Sequence, residues 1–135
     1  MKTDVLIVGG GASGLMCAVA LKKQNPNCSV TVLEKNQRVG KKILATGNGR
    51  CNLGNSKACP KNYHSVSGRG ADFTAPALAS FPPADNRAFW RELGLLVTED
   101  SVGRQYPYTN QASSVLDILR LNLDALGVRV LTEIQ

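Results

Sequence analysis

At 135 residues the chain is about one domain long, and its 43% of hydrophobic residues suffices for a packed core, so a folded chain and not a disordered one is expected. No apolar run reaches the roughly 18 residues of a membrane span and no secretory signal opens the sequence, so the expected compartment is cytoplasmic, with no membrane partner. The net charge of +6 invites a nucleic-acid reading, but Arg38, Lys41, Lys42 and Arg50 cluster without interleaved aromatics, which suits a compact diphosphate better than a long polymer.

In chain order, Val5-Leu6-Ile7-Val8 is a continuous aliphatic run and predicts a strand buried on both faces. Gly9-Gly10-Gly11 ends it. Ala12, Leu15, Met16, Val19 and Ala20 then recur at helical spacing, predicting a helix from 12 to about 24 that Asn25-Pro26-Asn27 stops. Ser29 to Leu33 reads as a second strand, with Glu34 at its carboxyl end, so residues 3–35 form one βαβ unit. From Asn36 to Asp72 the pattern dissolves into Gly, Asn, Lys and Ser. Residues 36–75 are therefore read as a long cofactor-side loop, with regular structure returning at Pro83.

Residues 84–93 look helical, with Phe89, Trp90 and Leu93 on the apolar face and Gly94 as the stop. Trp90 is read as core. Leu95 to Tyr108 suits a hairpin turning near Asp100-Ser101, so 76–109 becomes a helical and hairpin insertion. A further helix runs from about Gln111 to Leu126, with Asn110 placed to cap it. Its buried stripe is Ala112, Val115, Leu116, Leu119, Leu123 and Leu126. Gly127 ends that helix, and Val128 to Ile134 is a strand whose outer edge is expected to be unpaired, which completes the segment 110–135.

The four cysteines (Cys17, Cys28, Cys51, Cys59) form no C-x-x-C pair and are read as reduced thiols. Cys51, Cys59 and His64 match no zinc spacing and lack a fourth ligand, so no metal is expected. No side chain presents itself as a catalytic acid or base.

Gly9-x-Gly11-x-x-Gly14 follows a predicted strand and opens a predicted helix, which is the context a dinucleotide turn requires. Gly9 permits the tight turn, Gly11 lets backbone approach a pyrophosphate, and Gly14 lets the helix pack close to the strand. N–H groups of the first helical turn, with the helix dipole behind them, then face the phosphates. Glu34 stands about 20 residues after Gly14, at the place where a carboxylate accepts hydrogen bonds from the hydroxyls of an adenosine ribose. It repels a 2′-phosphate, so NADP is disfavoured at this turn. A nicotinamide dehydrogenase domain and a non-catalytic nucleotide-binding fragment remain the alternatives on these residues.

Two further stretches carry a resemblance. Gly40-Lys41-Lys42-Ile43-Leu44-Ala45-Thr46-Gly47-Asn48-Gly49-Arg50-Cys51-Asn52, together with Gly103-Arg104-Gln105-Tyr106-Pro107 and Gln111-Ala112-Ser113-Ser114-Val115-Leu116, resembles a bacterial FAD-dependent oxidoreductase family. That family includes aminoacetone oxidase and the BaiN-like flavoproteins. With Asp4 to Gly14 and Leu33-Glu34-Lys35, the likeness runs almost end to end. It implies an α/β fold, a Rossmann-like FAD-binding βαβ domain of the glutathione-reductase-like class with two dinucleotide domains. FAD is the implied cofactor, NAD(P)H a candidate reductant and a small molecule the substrate.

The resemblance assigns Gly9, Gly11, Ala12, Ser13 and Gly14 to the pyrophosphate turn. Glu34 becomes the ribose ligand with Lys35 beside it, Lys41 and Lys42 lie on the adenosine and phosphate side, and the loop Thr46, Gly47, Asn48, Gly49, Arg50 to Asn52 approaches the flavin end. Cys51 becomes a small residue packed near the cofactor. Gly54 departs from the Thr that members often carry. Family members are also considerably longer, so the resemblance implies a partial FAD-binding domain over 1–135. A substrate domain and a C-terminal FAD segment lie outside it, and the adenine-contacting position of the third strand falls at or beyond Gln135.

Overall fold

The computed structural model describes residues 2–134. Its elements run β1 (Val5–Val8), α1 (Ala12–Gln24), β2 (Val30–Leu33), α2 (Lys41–Ala45), β3 (Gly54–Asn55) and α3 (Gly70–Ser80). They continue with α4 (Pro83–Glu92), β4 (Val97–Glu99), β5 (Arg104–Pro107), α5 (Ala112–Ala125) and β6 (Arg129–Leu131), and short 3-10 turns occupy Thr46–Gly49 and Pro60–Asn62. The chain divides into two compact units, Met1–Cys51 with Gln111–Gln135, and Asn52–Asn110. The adenine-contacting position expected at or just beyond Gln135 lies outside the described residues.

The first unit is built on a parallel sheet in the order β1-β2-β6. Val5 pairs with Val30 and Thr31 with Arg129, so β2 is the central strand; Val30, Thr31 and Val32 are buried and Leu33 is half-buried. Its β-branched residues fit that place, since a parallel strand is hydrogen-bonded on both sides and carries apolar side chains on both faces. Leu15, Ala18 and Val19 of α1 and Val115, Leu119 and Leu123 of α5 make the core with Val30 and Val32. The predicted stripe of α5 is buried except for Leu126, which is half-buried; in α1, Ala18 takes the buried place expected for Ala12.

β1 departs from expectation. Val5 and Ile7 are half-buried while Leu6 is 52% and Val8 83% exposed, so only one of its faces is covered. The continuous aliphatic run promised burial on both faces. β1 instead flanks the sheet, and among the described residues nothing covers its outer face. The cap of α5 is a second correction. Asn110 adopts a left-handed conformation (φ 55°) and donates its N–H to the Pro107 carbonyl at 2.8 Å, closing the turn after β5. Gln111, in extended backbone, takes the N-cap position, and its side chain makes no capping bond to the helix backbone.

The expected long loop is a third correction. Residues 36–75 hold α2, both 3-10 turns, β3 and the start of α3. α3 leaves little mark in the sequence because it carries Pro76 inside and buries only Gly70, while Phe73 stands 87% exposed. A helix without an apolar stripe leaves no period to read, and an internal proline argues against one.

The second unit is an antiparallel sheet in the order β3-β5-β4. Gly54 pairs with Gln105 and Val97 with Pro107. The β4–β5 hairpin turns over Asp100 to Gly103, where Gly103 (φ 88°) donates to the Asp100 carbonyl at 3.0 Å. The Asp100 carboxylate accepts from Val102 N, Arg104 N and Arg104 Nε. Trp90, Leu93, Leu95 and Tyr106 form the core beneath α4, and Phe89 meets Phe81 edge to face with ring centroids 6.2 Å apart.

The core assignment can be tested within one helix. Leu119 is 1% exposed and Leu121 63% exposed. Leu119→Ala should cost about 2–5 kcal/mol in urea denaturation, and Leu121→Ala less than about 0.5 kcal/mol.

Candidate dinucleotide site

The glycine turn leaves β1 at Gly9, whose φ of 104° is open to glycine and whose N–H donates to the Leu33 carbonyl at 2.7 Å. A Cβ on Gly14 would lie 2.1 Å from the Gly9 carbonyl oxygen, so only glycine lets α1 start this close to the strand end. A Cβ on Gly11 would meet nothing within 4 Å. Gly11, with exposed Ala12 and Ser13, therefore presents an uncovered stretch of backbone at the first turn of α1.

Gly10, which lies between the glycines of the G-x-G-x-x-G spacing, is closely packed as well. A Cβ there would lie 2.5 Å from Val39 Cγ1 and 3.2 Å from Glu34 Oε2. Its N–H donates to Glu34 Oε2 at 2.9 Å, and its carbonyl accepts from Gly40 N at 2.7 Å. Both polar groups of one peptide are thus held by the segment that follows β2.

Glu34 is only 8% exposed. Oε1 accepts from the backbone N–H of Asn36 at 2.8 Å and from its side-chain Nδ2. These donors, the Asn36 backbone first, hold the carboxyl below its ordinary value; burial opposes them, and Gly10 N–H and the charge of Lys35 assist. The main chain is held equally firmly: Glu34 N donates to the Leu131 carbonyl at 2.8 Å and Ile134 N to the Glu34 carbonyl at 3.1 Å. An ionised carboxylate has about four acceptor positions. Three are filled by Gly10 and Asn36, so about one remains for a ribose hydroxyl.

Lys35, Lys41 and Lys42 are exposed around this point. A cavity of about 660 Å³ is bounded by Lys35, Asn36, Gln37, Arg38, Lys41 and Glu133. A second, of about 630 Å³, lies among α2, α5 and β6, with Arg38, Lys41 and Arg120 at its charged side and Leu116 and Val130 on its apolar side. Gly40 (φ 71°) fits between them because a Cβ would lie 2.3 Å from Leu116 Cδ1.

Within the Thr46 to Cys51 segment four residues have left-handed backbone, with φ of 55° at Gly47 and Asn48, 80° at Gly49 and 58° at Cys51, while Arg50 (φ -100°) does not. Cys51 N closes it on the Thr46 carbonyl at 3.1 Å, and Thr46 Oγ1 donates to the Ile43 carbonyl at 2.7 Å. Asn52 belongs to the second unit, where its Oδ1 accepts from Gly54 N at 3.1 Å. The site residues from Gly9 to Arg50 therefore share one unit, and Asn52 stands in the other. Gly54 has a local reason: a Cβ would lie 2.7 Å from Asn86 Nδ2, which donates to the Leu53 carbonyl at 3.0 Å.

The four cysteines are unpaired and His64 is exposed. Among the described residues no cluster of three His, Cys, Asp or Glu side chains forms, and no helix is long and apolar enough to cross a membrane.

The glycines make separable forecasts. Gly11→Ala should melt within a few degrees of wild type yet bind dinucleotide weakly, whereas Gly10→Ala and Gly14→Ala should melt several degrees lower, as side-by-side thermal scans would reveal. Glu34 adds a pH dependence. Its carboxyl lies below the ordinary value of 4.5 in the folded chain. The stability it supplies is therefore full above the unfolded pKa and is lost as pH falls through the folded one. Urea midpoints measured from pH 7 downward should decline in wild type from about pH 5 and decline less in Glu34→Gln.

Residues 3–135 match the family described as the HI0933-like protein Rossmann domain. The chain is 39% identical over 129 residues to a 3-dehydro-bile acid delta(4,6)-reductase of Clostridium scindens, covering 96% of this chain and 31% of that protein. It is 32% identical over 129 residues to a ribosomal RNA dihydrouridine synthase of Haemophilus influenzae, again covering 96% and 31%. The chain thus spans about a third of the length of these relatives. Among solved structures, Thermovibrio ammonificans THI4 superposes with a TM-score of 0.61 at 19% identity, over 96% of this chain and 38% of that one, which shows the fold. The parallel β1-β2-β6 sheet with a glycine turn at the end of β1 is a Rossmann arrangement, and the chain belongs to the family described as the HI0933-like protein Rossmann domain.

Proposed function

We propose that this chain is the FAD-binding part of a flavin-dependent oxidoreductase, and that it holds the adenosine diphosphate half of the cofactor. The observation that carries this reading is the pairing of the uncovered backbone at Gly11 with the buried, ionised carboxylate of Glu34. The residues fit the group. Gly11 to Gly14 would receive the diphosphate on α1 N–H donors, and Lys41 and Lys42 would supply cations near it. Glu34 would take a ribose hydroxyl and oppose a 2′-phosphate. The Thr46 to Arg50 loop, whose glycines and Asn48 leave little side-chain bulk, would approach the flavin end. FAD, when bound, supplies the hydride and electron chemistry, and the protein positions it.

Two relatives of comparable similarity are named for a bile-acid reduction and for an RNA modification, so the substrate is set by residues that differ among them. A small molecule is the substrate proposed here, with NAD(P)H as the reductant and a cytoplasmic setting. RNA is set aside because the basic residues Lys35, Arg38 and Lys41 gather around one cavity rather than along an aromatic-bearing face.

Titration with FAD, followed by flavin fluorescence, should show saturable binding in wild type and at least about tenfold weaker binding in Glu34→Arg, in which an acceptor becomes a bulky cation. Equal retention by the two would sink the assignment of Glu34. Lys41→Ala with Lys42→Ala should weaken binding by an amount that shrinks as salt rises. Micromolar RNA binding at near-physiological salt in an anisotropy titration would favour the RNA reading.

A further inference from the structure

We propose that Asn36 is a second sugar-reading residue: its amide nitrogen fixes Glu34, and its amide oxygen accepts one hydroxyl of the adenosine ribose. The inference rests on the dinucleotide reading above and adds a contact which that reading did not contain.

The geometry leads there in three steps. Asn36 Nδ2 and Asn36 N both donate to Glu34 Oε1, so that oxygen is occupied from the protein side. Glu34 Oε2 accepts from Gly10 N and keeps about one acceptor position. A ribose presents two neighbouring hydroxyls, so Glu34 alone is one acceptor short. An ionised carboxylate can only accept, so the amide must turn its NH₂ toward it. That fixes the orientation of the amide and leaves Oδ1 as its other end. Asn36 lines the 660 Å³ cavity with Lys35, Arg38 and Lys41, whereas Glu34 is 8% exposed. Glu133 N holds the Asn36 carbonyl at 3.2 Å, so the backbone beneath the amide is anchored as well. Glu34 Oε2 and Asn36 Oδ1 then make a pair of acceptors for the two hydroxyls, the second oriented by the first.

The test uses ADP, 2′-deoxy-ADP and 3′-deoxy-ADP, titrated by calorimetry against wild type, Asn36→Ala and Asn36→Asp. Removing either hydroxyl should weaken wild-type binding by about three- to tenfold. In Asn36→Ala, ADP should bind less tightly and one of the two deoxy penalties should vanish, because the acceptor that met that hydroxyl is gone. Asn36→Asp restores an oxygen but sets a second carboxyl against Glu34, among Lys35, Arg38, Lys41 and Glu133. Two carboxyls at that distance share a proton at low pH and repel when both ionise. ADP affinity of Asn36→Asp should therefore fall relative to that of wild type, measured at the same pH, as pH rises from 5 to 8, so that the titration of ADP itself cancels. If Asn36→Ala weakens ADP binding but keeps both deoxy penalties, Asn36 only props Glu34 and the proposal is overturned. If wild type binds neither ADP nor FAD, the dinucleotide reading itself fails, and this proposal with it.

Discussion

A buried carboxylate must find hydrogen-bond donors or leave the interior, and in the first unit that requirement organises everything around it. Glu34 takes one donor from the peptide of Gly10 and two from Asn36. Gly10 in turn accepts from Gly40. The glycine turn, the end of β2 and the entry to α2 are consequently a single hydrogen-bonded knot rather than three adjacent features. The turn does not merely permit a ligand to approach. It is held in its shape by the same acid that the ligand would use.

This knot explains what the amino-acid order reveals and what it conceals. The spacing Gly9-x-Gly11-x-x-Gly14 and the distance to Glu34 were legible because a strand, a tight turn and a helix each leave a periodic or compositional mark. The stripe of α5 was legible for the same reason, through Val115, Leu119 and Leu123. Gly10 and Asn36 were not. Gly10 matters through Val39 and Glu34, which lie far along the chain, and Asn36 matters through the direction of one amide. Neither contact has a period.

The misreadings share a cause. α3 buries too little to show a stripe, and its Pro76 speaks against it. Asn110 has the chemistry of a helix cap but is spent on the turn after β5. β1 looks like an interior strand because its composition is that of one, yet burial depends on neighbours that no local window contains. Left-handed backbone was better marked: Gly47, Asn48 and Gly49 are the residue types that tolerate it, and three in succession announce a loop whose path is fixed by conformation more than by side-chain contacts.

The order of the parallel sheet also has a consequence in time. β1 and β2 are near neighbours in the chain and can pair soon after both exist. β2 must wait for β6, because Thr31 meets Arg129 only after all of Asn52–Asn110 has been made. Synthesis proceeds from the amino end, and pairings between distant residues form late. Throughout that interval the valines of β2 lack the strand that will flank them on their β6 side. For this sheet, then, the stage at which an apolar strand is open to wrong partners is the emergence of the nascent chain, before β6 exists.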